Sequence, residues 1–265
     1  MGSGAECPSR TGTVPSRLAK ARDNVTGTAE RAPASWGWLA LLWVVLAEVV
    51  RYGVDDLLDR LPPDIGHPWH DLDVAASWAT PLVVLVIAVY LIRTPVGAYL
   101  AWVRPRRISD VLLGILVVLA PEALSRGLAY YFTGSAGYPV EEYHAARAAG
   151  TSAWWYVLQW YPAFIYAPFV EETTYRGFLW RGLERTFLRG PGTLLVTSLA
   201  FAAIHYGYYF QDGVFVLPAF LSPLVIGLIL GWVRWRSGST FASMIAHSVW
   251  NLTLQVGTVI AATMA

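Results

Sequence analysis

The sequence predicts an all-α polytopic membrane protein, a helical bundle with an intramembrane catalytic cavity, and three observations carry that prediction. The 265 residues are 55% hydrophobic and only 14% charged, against about 25% charged in an ordinary soluble domain. Apolar runs near the ~20 residues that cross a bilayer recur along the chain. The charges between those runs alternate in character from loop to loop.

The runs divide into seven predicted membrane segments, approximately 36–52, 74–92, 108–132, 154–180, 192–210, 214–235 and 240–263. Before the first segment lie Arg10, Arg17, Lys20, Arg22 and Arg31, and after it an acidic loop with Asp55, Asp56, Asp59, Asp64, Asp71 and Asp73. The next loop is basic (Arg93, Arg104, Arg106, Arg107), and the one after it holds Glu141 and Glu142 against Arg147. Arg181, Arg185 and Arg189 follow, then a nearly uncharged turn at Asp212, then Arg234 and Arg236. Basic loops alternate throughout, which under the positive-inside rule puts the N-terminus in the cytoplasm and the C-terminus outside the cytoplasmic membrane. An eighth span is required only if the long 154–189 stretch breaks or a loop re-enters.

Residues 1–35 are rich in Gly, Ser, Thr, Pro and Ala without apolar periodicity, so they read as a disordered cytoplasmic tail. Two membrane regions follow, an N-terminal set of helices over 36–152 and a catalytic core over 153–265. The tail lacks the apolar core of a cleavable signal peptide, so the first helix is expected to act as its own insertion signal. Cys7, the single cysteine, excludes an internal disulfide and a cysteine-based zinc site. No basic patch rises above the loops, so nucleic acid is not an expected partner. Thirteen Trp and fourteen Tyr suit aromatic belts at the two membrane surfaces.

Chemistry concentrates in Glu171-Glu172-Thr173-Thr174-Tyr175-Arg176, two carboxylates and an arginine inside an apolar stretch. A charge at such depth costs roughly 2.5–3.5 kcal/mol on insertion scales, so it faces a cavity or a partner. Adjacent residues sit about 100° apart on a helix, so the two glutamates point different ways. Glu172 and Arg176, at i,i+4, share a face, which leaves Glu171 freer to act as a base. His205 closes the run 194–204, with Phe201 one turn before it, and His247 has Asn251 at i,i+4 on one face. Each histidine taken alone also suits helix packing. At 1.5 Å per residue, Glu171 lies about 15–20 Å, His205 about 18–20 Å and His247 about 12–15 Å from the basic loops, so the three can share a layer. Glu122 and Arg126 form a further i,i+4 pair that reads as structural. Glu141-Glu142-Tyr143-His144 imitates a catalytic triplet but falls in a predicted outer loop that offers no desolvation.

Glu171-Glu172-x-x-x-Arg176, Phe201-x-x-x-His205 and His247-x-x-x-Asn251, in that order on successive apolar segments, resemble the CPBP family of intramembrane glutamic proteases. This family includes the CAAX prenyl endopeptidases and bacteriocin-processing relatives, and Arg176-Gly177-Phe178-Leu179 extends the match. The resemblance spans about residues 165–255 and implies a metal-independent peptidase without cofactors. It implies that Glu171 and His205 activate water, that His247 and Asn251 stabilise the oxyanion, that Glu172 supports the site and that Arg176 anchors the glutamate helix. Phe201 belongs to the same motif as a structural support. The expected partners are the lipid bilayer and a membrane-anchored protein or peptide, such as a C-terminal sorting or precursor segment. Two alternatives stand beside this reading. One is a zinc protease using His205, His247 and Glu171, for which no HExxH spacing is present. The other is a non-catalytic membrane protein, a scaffold, immunity factor or small transporter.

Overall fold

The computed structural model describes residues 36–60, 68–91, 95–211 and 213–264, and the predicted tail 1–35 lies outside them. The fold is almost entirely helical. Long helices α1 (Trp36–Asp59) and α2 (Pro68–Leu91) precede a one-turn helix α3 (Val96–Tyr99) and the long α4 (Ile108–Thr133). Two short helices follow, α5 (Val140–Ala148) and α6 (Ala153–Leu158), so the predicted outer loop at 141–144 is helical instead. Pro139 precedes its first turn, where Glu141 and Glu142 sit at the positive end of the helix dipole.

The glutamate segment is not one continuous helix. It runs through a π-helical turn (Pro162–Tyr166), α7 (Ala167–Glu172), a second π-helical stretch (Thr173–Leu179) and α8 (Trp180–Leu183). π-helical turns inside α-helices are found frequently at functional sites. Proline explains part of the break. In the i−5 register the amide that would reach the Ala163 carbonyl belongs to Pro168, which has no N–H.

Next come α9 (Arg189–Ala203), a one-turn helix α10 (Tyr206–Tyr209) and a two-rung antiparallel hairpin of β1 (Phe210–Gln211) with β2 (Val214–Phe215). Helices α11 (Leu217–Ser237) and α12 (Thr240–Met264) complete the chain. The predicted segment 192–210 therefore stops early, and His205 lies just beyond the end of α9 instead of inside a helix. The hairpin likewise takes the first residues of the predicted 214–235 segment.

Among the described residues, three helical stretches are long and apolar enough to cross a membrane, Gly37–Val54, Ile108–Thr133 and Leu217–Ser237. The other segments are shortened, interrupted or polar. The strongly apolar part of α2 is Ala79–Leu91, and α9 has 15 residues. Large apolar side chains such as Leu42, Val49, Leu112 and Leu116 are exposed on the outer helix faces, as lipid contact requires.

Helix packing positions the site. α9 packs on α11, α12 on α4, and α1 on both α2 and α8. The α9–α11 contact depends on small residues. A Cβ at Gly227 would lie 3.2 Å from the Ser198 carbonyl oxygen and 3.3 Å from a Phe201 ring carbon, and one at Gly231 would lie 2.5 Å from Leu194. This four-residue spacing of glycines lets two helix backbones approach closely in a membrane.

Candidate active site

Six of the seven residues singled out in the sequence converge around the second π-helical stretch. Glu172 is fully buried, and Arg176, one turn on and equally buried, donates from Nη1 to Glu172 Oε1 at 3.0 Å. The arginine is held through both terminal nitrogens and one face. Nη2 donates to the Gly227 carbonyl at 2.9 Å, and the guanidinium lies 4.3 Å over the Phe201 ring. Its own carbonyl accepts from Arg234 Nε at 3.0 Å. Gly227 thus serves twice, admitting α9 and presenting a carbonyl to the arginine.

His247, 2% exposed on α12, places Nδ1 3.1 Å from Glu172 Oε1. A carboxylate oxygen only accepts, so Nδ1 carries the proton and Nε2 is turned the other way. Nε2 lies 3.9 Å from Glu171 Oε2, beyond direct hydrogen bonding but within electrostatic reach. One carboxylate oxygen of Glu172 therefore receives both Arg176 and His247, and it orients each. Phe201 packs edge-on to His247 at 5.9 Å and lies 4.7 Å from the ring of His205.

Glu171 faces another way, as the helical angle requires. It lines a cavity of about 420 Å³ together with His205, and Tyr175, Thr174 and Tyr208 join them. His205 Nδ1 lies 2.8 Å from the Phe201 carbonyl. A carbonyl accepts only, so this contact puts the proton on Nδ1 and leaves the Nε2 lone pair free in the neutral ring. Loss of helix after Ala203 makes this possible, because the turn frees the imidazole to fold back onto the last turn of α9.

Asn251 stands apart from the cluster. Its Nδ2 donates to the Ala163 carbonyl at 2.6 Å, the acceptor that Pro168 leaves without an amide. The side chain staples α12 to the first π-helical turn and retains one further N–H. Among the described residues, no group of three or more His, Cys, Asp or Glu side chains has the arrangement of a metal site.

The sequence reading missed the contribution of α1. Glu48 and Arg51 form an ion pair at 2.8 Å on the wall of the Glu171 cavity, and the Tyr175 hydroxyl donates to Glu48 Oε1 at 2.9 Å. Tyr52 stacks under Arg51 at 4.4 Å and donates to the Ile204 carbonyl at 3.3 Å. α1 therefore grips the glutamate segment through Tyr175 and the His205 turn through Tyr52. The signal was present, since Glu48 and Arg51 are charges in a predicted span. Glu122 and Arg126 also pair, at 2.7 Å, and Arg126 donates to the Ala136 and Gly137 carbonyls, which closes the loop after α4 as a structural pair would.

No curated protein and no solved structure matches this chain. A family model does match, over residues 153–253, a stretch that contains every member of the cluster and also Asn251. That match points to a protease. Over those residues the chain carries the signature of the type II CAAX prenyl endopeptidase Rce1-like family, the family that its motifs resemble.

Proposed function

We propose that this protein is a glutamic intramembrane endopeptidase of the cytoplasmic membrane, in which Glu171 and His205 activate a water held in the 420 Å³ cavity. The observation that carries this reading is that one cavity is lined both by the Glu171 carboxylate and by an imidazole whose Nδ1 is engaged by a backbone carbonyl. Glu171 takes the water proton as general base, and the free Nε2 of His205 orients that water or shares the proton. Hydroxide attacks the carbonyl carbon of the scissile bond, and the proton passes to the leaving amine as the bond breaks.

Glu172 does not contact the water in this scheme. It fixes His247 from behind and is fixed in turn by Arg176. With Glu172 as counter-ion, an imidazolium at His247 presents Nε2–H toward the Glu171 side, as an oxyanion donor must. Asn251 supplies a second donor from its remaining N–H and holds the π-helical turn through Ala163. The catalytic core is 153–265, and α1 closes the cavity from the N-terminal region. The substrate is a membrane-anchored protein or peptide, such as a C-terminal sorting or precursor segment. The N-terminus lies in the cytoplasm and, with seven spans, the C-terminus lies outside.

The test compares peptides in membranes carrying the wild type, Glu171→Gln or His205→Ala. Products present with the wild type and missing from both variants support the reading. Undiminished processing by both variants overturns it.

A further inference from the structure

Three arginines from separate stretches of the sequence meet in a second cavity, which shares no wall with the first. This cavity measures about 290 Å³, and its lining includes Arg106, Arg181, Arg234, Glu184, Trp180 and Trp235. Glu184 accounts for one of the cations, since it accepts from Arg181 and from the Trp180 indole. Arg106 and Arg234 are left over. Among the described residues neither takes part in an ion pair, and the charges that bear on Arg234 are those of Glu184, Arg181 and Arg106.

Arg234 is the more informative of the two. It is 5% exposed, its Nε is bonded to a neutral carbonyl, and its planar face lies 5.8 Å over Trp180. Arg106 reaches the same cavity from the loop before α4 by lying across Gly238, whose φ of 69° and missing side chain admit it. Two guanidiniums in excess over carboxylates, one of them nearly buried, call for an anion. Guanidinium forks match phosphate oxygens in pairs. The cavity also sits where three basic stretches, 104–107, 181–189 and 234–236, come together, with two tryptophans in its wall. Basic pockets between membrane helices at such a surface receive phosphate-bearing headgroups.

We propose that this cavity is a phosphate site, with Arg106 and Arg234 as the groups that hold the anion. The site stands independently of the protease reading. It is nonetheless joined to the buried cluster by one bond, because Arg234 Nε donates to the Arg176 carbonyl and Arg176 pairs with Glu172. An occupied site fixes Arg234, and through it the π-helical stretch that carries Arg176.

Full-length protein in detergent is titrated with phosphatidylglycerol or phosphatidylcholine and bound lipid is counted by native mass spectrometry. In a separate arm, inorganic phosphate replaces chloride at equal ionic strength and thermal stability is recorded. One saturable phosphatidylglycerol that phosphatidylcholine does not replace identifies a lipid headgroup. A saturable phosphate-dependent stabilisation with no preference between the lipids identifies free phosphate. In either case Arg106→Ala weakens the bound anion about five-fold, while Arg106→Lys loses less and Arg104→Ala, an exposed arginine outside the cavity, leaves it unchanged. Absence of saturable binding in both arms overturns the proposal. An equal loss in Arg104→Ala and Arg106→Ala also overturns it, because that result describes general surface attraction.

Discussion

Replacing Arg176 by Met tests whether the buried pair organises the cluster. The substitution keeps an unbranched side chain of moderate length and removes only the guanidinium. It leaves Glu172 fully buried, still accepting from His247 but without its cation, and it removes the side-chain donor to the Gly227 carbonyl, which keeps its backbone partner inside α11. Breaking a buried pair on one side costs about 3–5 kcal/mol, because the remaining charge is uncompensated. Loss of the second hydrogen bond to the Gly227 carbonyl adds about 0.5–1.5 kcal/mol. His247 offsets part of the first term as an alternative cation, so a net loss of about 3–5 kcal/mol is expected for Arg176→Met. Removing the charge on both sides, in Glu172→Gln with Arg176→Met, eliminates the uncompensated carboxylate. The double variant is therefore less damaging than the sum of the singles, by at least about 1.5 kcal/mol, where contacting residues commonly couple by about 0.5–3 kcal/mol. The assay is reversible unfolding in mixed detergent micelles, read by tryptophan fluorescence across all four proteins. A loss under about 1 kcal/mol in Arg176→Met, or additivity within about 0.5 kcal/mol, refutes the reasoning.

Other expectations follow from the same contacts. Gly227→Ala forces a methyl against the Ser198 carbonyl and the Phe201 ring, so unfolding in micelles should show a loss of about 1–3 kcal/mol. Glu48→Ala removes the acceptor of the Tyr175 hydroxyl and the partner of Arg51. It should lower kcat about ten-fold with a smaller change in KM, and Glu48→Gln, which preserves an acceptor, should recover most of that loss. An unchanged kcat in Glu48→Ala would show that α1 does not position the site. A chelator strong enough to strip zinc should leave processing intact; loss of activity that added zinc restores would displace the general-base assignment of Glu171 and His205.

Much of the cluster was legible because it is local. Glu172 and Arg176 lie four apart, and that spacing along a helix brings the pair together. Separation of the two glutamates by 100° was equally legible, and it assigns one to the cavity and the other to the pair. What escaped is what depends on breaks in regular structure. The run Phe201-Ala202-Ala203-Ile204-His205-Tyr206-Gly207 is apolar enough to read as continuous helix. Its end at Ala203 is set by tertiary bonds, including the Tyr52 and Tyr209 hydroxyls that donate to the Ile204 and Ala203 carbonyls. Nor does spacing predict the π-helical register. Pro162 and Pro168 hint at it, but the staple from Asn251 to Ala163 joins residues 88 apart in sequence. Glu48 is 127 residues from Tyr175, and only folding shows which charge in α1 serves the site. Arg234 looked like an ordinary loop cation, yet the last turn of α11 buries it against the backbone of Arg176.

The central claim is that Glu171 performs the proton transfer while Glu172 supports it. The most direct measurement is the turnover of one processed peptide by purified Glu171→Gln, alongside its unfolding midpoint in micelles. General base catalysis contributes about 10²–10⁴-fold, so turnover should fall by at least 100-fold while the midpoint stays at the wild-type value, since no buried partner is orphaned. Turnover within ten-fold of wild type in a folded Glu171→Gln protein contradicts the account.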